Sequence, residues 1–127
     1  MSGGAQDDRR HRGARSHHAG MAAEEAVERH YQRAGLTILE WRWRGQGGEI
    51  DLIARDGDVV VFVEVKQSAS HDEATWHLTP AQVARISASV QDYVGGLPSG
   101  ANADVRFDLA LVDGQGQVQI LANVLAG

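Results

Sequence analysis

Apolar and polar positions along the chain follow two different periods, and the changes between them mark the predicted elements. Small and apolar residues recur at a spacing of about 3.6 residues over 22–34, which predicts a helix that ends at Gly35. A second helix is predicted from the start signal at Thr79 and Pro80, a capping hydroxyl followed by a proline at the first helical position. This helix is expected to run to about Val94.

Short runs of β-branched and aliphatic residues, bounded by Gly, Asp and Asn, predict the strands. They cover 36–43, 49–54, 59–66, 104–112 and 117–125. Asp56 and Gly57 form a strong hairpin-turn dipeptide, so the second and third strands are expected to pair as an antiparallel hairpin. The resulting order, α-β-β-β-α-β-β, predicts an α/β fold in which helices cover a central sheet.

The length of 127 residues suits one domain, with its core in residues 21–127. Residues 1–20 are rich in Gly, Ser, Arg and His and lack apolar periodicity, so they are expected to form a flexible tail. The sequence contains no apolar run of about 18 residues, no apolar signal segment and no cysteine. These features predict a cytoplasmic protein without membrane association.

Charge restricts the way in which this chain could bind a polyanion. The formal net charge is −5, and because the first 20 residues hold four arginines and two aspartates, residues 21–127 carry −7. Binding of nucleic acid through bulk positive charge is therefore disfavoured. Such a role would depend on local patches and on cations that neutralise clustered carboxylates. Lys66 is the only lysine, whereas the other eleven basic residues are arginines.

The strand over 59–66 has apolar residues on both of its faces, which is typical of a strand in the middle of a sheet. Glu64 and Lys66 share the face of Val60 and Phe62, at the end of the strand furthest from the turn. Because a buried charge needs a partner, this end of the strand is a candidate site.

The hairpin turn defines which residues of the preceding strand face this pair. With an even-numbered loop, odd positions of one strand lie opposite even positions of the other. Asp51 then lies opposite Phe62 or Glu64. Glu49 lies opposite Glu64 or Lys66. In either register, three carboxylates and one ammonium group come together on a single patch.

Clustered carboxylates repel one another, and a divalent cation removes that repulsion. Mg²⁺ prefers hard oxygen ligands and typically takes one or two carboxylates, with water and substrate phosphate completing its shell. Asp51 and Glu64 are the best pair for this role, and the spacing places the ammonium group of Lys66 where it could orient or deprotonate an attacking water. The alternative is that Glu64 and Lys66 form an ordinary solvated ion pair on an exposed strand.

The segment GEIDLIARDGDVVVFVEVK, residues 48–66, closely resembles the YraN-like uncharacterised protein family. The resemblance extends over 20–112 and includes Gly20 and Glu24 in the first helix and the Arg-Phe-Asp strand at 106–108. That family is distantly similar to archaeal Holliday-junction resolvases within the PD-(D/E)XK nuclease superfamily. The resemblance implies a restriction-endonuclease-like core, with a mixed central sheet flanked by helices.

Carried over to this chain, the resemblance implies that Asp51, Glu64 and Glu24 bind a metal ion, Mg²⁺ or Mn²⁺. It implies that Lys66 is catalytic together with Asp51 and Glu64. Glu49 belongs to the motif and is an additional candidate. The arginines expected to contact nucleic acid are Arg42, Arg44 and Arg85.

The resemblance implies an enzyme, a Mg²⁺-dependent endonuclease that hydrolyses DNA phosphodiesters, with branched or structured DNA as the favoured substrate. Two alternatives stay open: a catalytically silent nucleic-acid-binding module of the same fold, and a protein-interaction domain. The expected partner is nucleic acid, DNA in the first place. A homodimer or a separate protein partner is also compatible with the sequence.

Overall fold

The computed structural model describes residues 14–67, 78–98 and 103–125, with the side chains of the first range described from Met21 onward. A helix is followed by three strands, a second helix and two further strands. Their bounds are α1 Ala14–Arg33, β1 Thr37–Gly45, β2 Gly48–Asp56, β3 Val59–Gln67, α2 Pro80–Gly95, β4 Asp104–Val112 and β5 Val118–Leu121. Within these ranges, neither helix combines the length and the apolarity that a membrane crossing needs.

The five strands form one mixed sheet in the order β1-β2-β3-β4-β5. Neighbouring strands are antiparallel except β3 and β4, which are parallel and are connected through α2. The start of α2 is capped as predicted, because the Thr79 hydroxyl accepts the N–H of Gln82 and the Gln82 side chain accepts the N–H of Thr79. The predicted α/β fold with a central sheet is confirmed, and β3 lies in the middle of that sheet.

The two helices pack on opposite faces of the sheet, and each closes one hydrophobic cluster. α1 covers the face of Val61 and Val63, whereas α2 covers the face of Val60 and Phe62. The alternation predicted for this strand is therefore confirmed. The α1 cluster includes Val27, Tyr31, Trp41 and Leu52, and the α2 cluster includes Ile50, Ile53, Phe62, Val94 and Phe107.

The element bounds differ from the prediction at both ends of the chain. α1 begins at Ala14, within the segment expected to be a tail. Ala and Arg favour helix without any apolar period. The prediction was shorter because an apolar period identifies only the part of a helix that packs on the core. Residues 1–13 and all but the ends of the polar stretch 67–78 lie outside the described residues. β5 is shorter than predicted, with four residues, and the chain leaves the ladder before Asn123, which has a left-handed backbone (φ 57°).

Candidate functional site

The β2–β3 hairpin brings the two predicted metal ligands, Asp51 and Glu64, to the same end of its ladder. The last pair of that ladder is Leu52 with Val63, so Asp51 and Glu64 are the next residues on the two strands. The loop lies one residue later than predicted and starts at Gly57, whose positive φ of 61° is a conformation that glycine adopts without strain. The predicted odd-to-even pairing is confirmed, in the second of the two registers.

The side chain of Asp51 continues the contact between the two strands where their ladder ends. Its Oδ2 accepts the backbone N–H of Val65 at 2.8 Å, where a regular ladder would use a backbone carbonyl. A hydrogen bond to a carboxylate is stronger than one between neutral groups. The backbone of β3 therefore fixes the orientation of this carboxylate.

A pocket of about 140 Å³ lies on the α2 side of this end of the sheet. Its lining includes Glu64 and Lys66 of β3, Glu49 of β2, and Gln82 and Arg85 of α2. Lys66 Nζ lies 3.3 Å from Glu64 Oε2, as a two-residue spacing on one strand face predicts. The structure therefore brings Glu64 and Lys66 together with Glu49 and Arg85, whereas Asp51 is not among the residues that line this pocket.

The glycine-rich loop between β1 and β2 contributes to the pocket and packs directly on α2. A Cβ at Gly47 would overlap the backbone carbonyl oxygen of Arg85, so only glycine fits there. The hydroxyl of Ser89, which is 1% exposed, donates to the carbonyl oxygen of Gly48 at 3.1 Å and connects the loop to the helix. Ser89 was not predicted as a site residue, because a serine within a helix carries no distinctive sequence signal.

The surroundings of Asp51 raise its pKa to about 7. Burial is the largest cause, because desolvation disfavours the charged carboxylate, and the negative charge of Glu64 acts in the same direction. The hydrogen bond from Val65 opposes this change, while Glu24 and Glu49 add to it. Carboxylates of α1, β2 and β3 thus add their negative charge to the surroundings of Asp51.

Three of these four carboxylates have a basic side chain beside them. Asp51 has none among the residues that the structure describes, so no nearby cation offsets the repulsion from the other three carboxylates. The three pairs are Arg42 Nε–Glu24 Oε1 at 3.1 Å, Lys66 Nζ–Glu64 Oε2 at 3.3 Å and Arg44 Nη2–Glu49 Oε1 at 3.8 Å.

In the described ranges, no group of three His, Cys, Asp or Glu side chains is arranged to hold a metal ion. Mg²⁺ does not need such a cage, because it keeps several waters and binds through one or two carboxylates plus substrate phosphate. Asp51 and Glu64 offer hard oxygen donors at the same end of the hairpin, and a divalent cation would offset the repulsion that contributes to the raised pKa of Asp51. These two residues fit Mg²⁺ or Mn²⁺.

The three arginines predicted to contact nucleic acid lie in different surroundings. The side chain of Arg44 is 75% exposed on the edge strand β1, and Arg85 is exposed at the pocket. Arg42 pairs with a carboxylate of α1 and has a left-handed backbone (φ 48°). Its neighbours Trp41 and Trp43 pack into the clusters on opposite faces of the sheet. Arg44 and Arg85 are therefore accessible to a ligand, whereas Arg42 is engaged within the protein.

The model of the uncharacterised protein family UPF0102 matches residues 23–112, from α1 through the hairpin to the end of β4. The chain belongs to this family. It is 50% identical to a UPF0102 protein of Cereibacter sphaeroides over 111 residues, which cover 87% of this chain and 95% of the relative. A UPF0102 protein of Roseobacter denitrificans is 48% identical over 116 residues, with 91% and 90% covered. A UPF0102 protein of Ruegeria pomeroyi is 49% identical over 112 residues, with 88% and 91% covered.

The UPF0102 match includes the Arg-Phe-Asp strand, and in this chain the motif anchors α1 to the sheet. Asp108 is fully buried and accepts the Tyr31 hydroxyl at 2.7 Å. It also accepts Arg106 Nε and the backbone N–H of Asn123, each at 3.0 Å. Burial, followed by the charge of Asp108, raises the pKa of Tyr31, so its hydroxyl remains a donor. Tyr31 lies about two helical turns after Glu24, so this anchor positions the acid of α1.

Proposed function

We propose that this UPF0102 protein is a metal-dependent endonuclease of the PD-(D/E)XK type, which hydrolyses phosphodiester bonds of DNA with Mg²⁺ or Mn²⁺. The observation that carries the proposal is the arrangement of Asp51, Glu64 and Lys66 at one end of the hairpin, where Asp51 accepts the N–H of the residue after Glu64 and the ammonium group of Lys66 lies 3.3 Å from Glu64. A mixed sheet with a helix on each face supports a restriction-endonuclease-like fold. Branched or structured DNA is the proposed substrate, by analogy with the resolvases that the hairpin motif resembles.

Each residue of the site has a distinct proposed role. Asp51 and Glu64 hold the divalent ion, which when bound supplies stabilisation of phosphoryl oxygens and an acidified water. Lys66, held beside Glu64, orients the attacking water through the N–H groups of its ammonium, and the proton of that water passes to the surrounding solvent. The N–H of Val65 keeps the Asp51 carboxylate in one orientation, which reduces the reorganisation needed when the ion binds.

The pocket beside Glu64 and Lys66 suits a phosphate group. Its volume of about 140 Å³ is well below the roughly 300–1,000 Å³ of pockets that enclose a drug-sized ligand. DNA would therefore present its backbone to this pocket rather than an extruded base. Gln82 and Arg85 supply N–H donors from α2, and the exposed Arg44 is placed on the edge strand to contact a flanking phosphate.

The deciding experiment is a cleavage assay with the full chain on a four-way junction, a linear duplex and single-stranded DNA, each with Mg²⁺, Mn²⁺ or EDTA. We expect metal-dependent cleavage that falls by at least about 100-fold in Glu64→Gln and in Lys66→Met. Asp58→Asn is the matched control, because Asp58 is an exposed carboxylate in the turn at the opposite end of the same hairpin. Cleavage by E64Q and K66M at the wild-type rate would rule this mechanism out.

A catalytically silent nucleic-acid-binding module is the second candidate, and one observation favours it. Lys66 already compensates Glu64, and Arg42 already compensates Glu24, so much of the acidic charge is neutralised within the chain. Binding of junction DNA in a mobility-shift assay, with no cleavage product in any metal, would favour this module over the enzyme. A protein-interaction domain would respond to neither metal nor DNA, and the mass of the protein in solution would show whether its partner is a second copy.

A further inference from the structure

We propose that Glu24 does not bind the metal, because Arg42 holds it at the border of the site, and that the site takes one divalent ion through Asp51 and Glu64. Arg42 is thereby a positioning residue, which acts on the site through Glu24. This inference rests on the metal-dependent function proposed above. It departs from the ligand role that the family resemblance implies for Glu24.

The contact between Arg42 and Glu24 is short and partly buried. Arg42 Nε donates to Glu24 Oε1 at 3.1 Å, and the two side chains are 27% and 14% exposed. An ion pair with so little exposure is weakly screened by solvent, and breaking it would leave the guanidinium without this carboxylate inside the protein. Transfer of Glu24 to a metal is therefore less favourable than transfer of a solvated glutamate.

The backbone conformation of Arg42 restricts the positions that its guanidinium can occupy. Trp41 belongs to the cluster under α1 and Trp43 packs into the cluster under α2, although alternate residues of a regular strand share a face. The left-handed conformation of Arg42 (φ 48°) lies at this change of face, and a non-glycine residue keeps it only where the surrounding packing enforces it. The two indole rings therefore fix the position from which the guanidinium extends.

The distribution of charge gives an independent reason. Arg42 occupies the register position opposite Asp51, yet its guanidinium contacts Glu24. Among the residues that the structure describes, Asp51 has no basic side chain beside it. Glu24 and Glu64 each have one, and the pair of Glu24 is the less exposed, with side chains 27% and 14% exposed against 37% and 27%. In the part of the chain that the structure describes, no third acidic or imidazole side chain completes a metal-binding group. The donor set is thus two carboxylates, which is sufficient for one Mg²⁺ or Mn²⁺ with waters.

Isothermal titration of the full chain with Mn²⁺ tests this inference without a substrate. The wild-type chain is expected to bind one ion. Glu24→Gln is expected to keep that stoichiometry and to change Kd by less than about threefold, whereas Asp51→Asn weakens binding by at least about 30-fold. Arg42→Gln removes the ion pair that competes with a metal ion for the Glu24 carboxylate, so binding tightens by about tenfold or a second ion is taken up.

Arg44→Gln is the matched control for the loss of one nearby positive charge. Arg44 pairs with Glu49 at 3.8 Å and its side chain is 75% exposed. R44Q is expected to change Kd for Mn²⁺ by less than about threefold, because solvent screens this charge. Equal effects of R44Q and R42Q would show that the loss of charge alone explains the result, and the positioning role of Arg42 would be wrong.

The result for E24Q separates this inference from the proposed function. A loss of Mn²⁺ affinity in E24Q as large as that in D51N would make Glu24 a ligand and overturn the inference, while the metal-dependent function would stand. Failure of the wild-type chain to bind Mn²⁺ would overturn both. Circular dichroism in EDTA checks that each variant is folded, and E24Q supplies the test even where R42Q does not fold.

Discussion

Asp51 of β2 accepts the backbone N–H of Val65 of β3 at 2.8 Å, where the hairpin ladder ends. A side chain thus replaces a backbone acceptor, and the carboxylate is oriented before any ligand is present. Burial and neighbouring carboxylates raise the pKa of Asp51 to about 7, against the effect of this hydrogen bond. A carboxylate that is held in one orientation, but whose negative charge is disfavoured by burial and by neighbouring carboxylates, is the arrangement expected of a cation site.

The raised pKa of Asp51 predicts a loss of stability with rising pH when no divalent ion is present. Below about pH 4 the carboxyl is protonated in the folded and unfolded states, and above about pH 7 it is ionised in both. Between these values the folded state binds the proton more tightly, so the free energy of unfolding falls as pH rises. The contribution of this group is on the order of 2 kcal/mol, measurable by urea unfolding in EDTA at about pH 4.5 and about pH 8.

Comparison with Asp51→Asn isolates this contribution from that of other titrating groups. D51N is expected to match the wild-type chain at about pH 4.5 and to exceed its stability by about 1–3 kcal/mol at about pH 8. Asp58→Asn, in the exposed turn, is expected to follow the wild-type chain at both values. An identical pH dependence in D51N and wild type would contradict the cause assigned here.

Mn²⁺ is predicted to raise the melting temperature, and to do so more strongly at high pH. The ion and the proton compete for the carboxylate of Asp51, so protonation weakens metal binding. At a concentration of about 100 times Kd, bound ion adds about 2.7 kcal/mol to the free energy of unfolding. Thermal melting at about pH 5.5 and about pH 8 measures the difference, and Glu64→Gln should remove most of it. Equal shifts at both pH values would mean that Asp51 is not a ligand.

Gly47→Ala is predicted to destabilise the protein by about 2 kcal/mol or more. The added Cβ would overlap the carbonyl oxygen of Arg85, which belongs to the backbone of α2 and cannot move independently of the helix. Gly95→Ala is the matched control, because nothing lies within 4 Å of a Cβ there. It is expected to be neutral or stabilising by up to about 1 kcal/mol, since alanine favours helix. Equal urea-unfolding free energies for both variants would show that the loop does not pack on α2 as described.

The buried carboxylate of Asp108 is predicted to couple α1 to the sheet. Tyr31→Phe removes a donor to it and should cost about 1–2 kcal/mol of unfolding free energy. Asp108→Asn also removes the buried negative charge beside Arg106, which keeps only the more distant carboxylate of Asp56 at 3.9 Å among the described residues, and should cost about 3 kcal/mol. Because both changes act on one hydrogen bond, the double variant should lose less than the sum of the two losses. Additive losses in urea unfolding would contradict a direct contact. Asp104→Asn, at an exposed position of the same strand, is the control.

Local sequence patterns specified the elements and the two faces of β3. Alternation placed Glu64 and Lys66 on the face of Phe62, and the structure has them 3.3 Å apart beside the predicted α2. The even-numbered turn paired odd with even positions, and Thr79 began the second helix. Each of these features depends on residues a few positions apart. The assignment to the YraN-like family, which is the UPF0102 family, also followed from one local motif, and the match over 23–112 confirms it.

Only the folded chain established which charges meet. The sequence left two hairpin registers open, and it contained no sign that Arg42 would pair with Glu24, 18 positions earlier, or Tyr31 with Asp108, 77 positions later. The spacing of apolar residues in the sequence predicts the face of a strand or helix on which each side chain lies. Contacts between elements depend instead on how the two hydrophobic clusters pack. They also depend on the left-handed backbone of Arg42, where β1 changes the face on which alternate side chains lie, and no sequence period predicts this change.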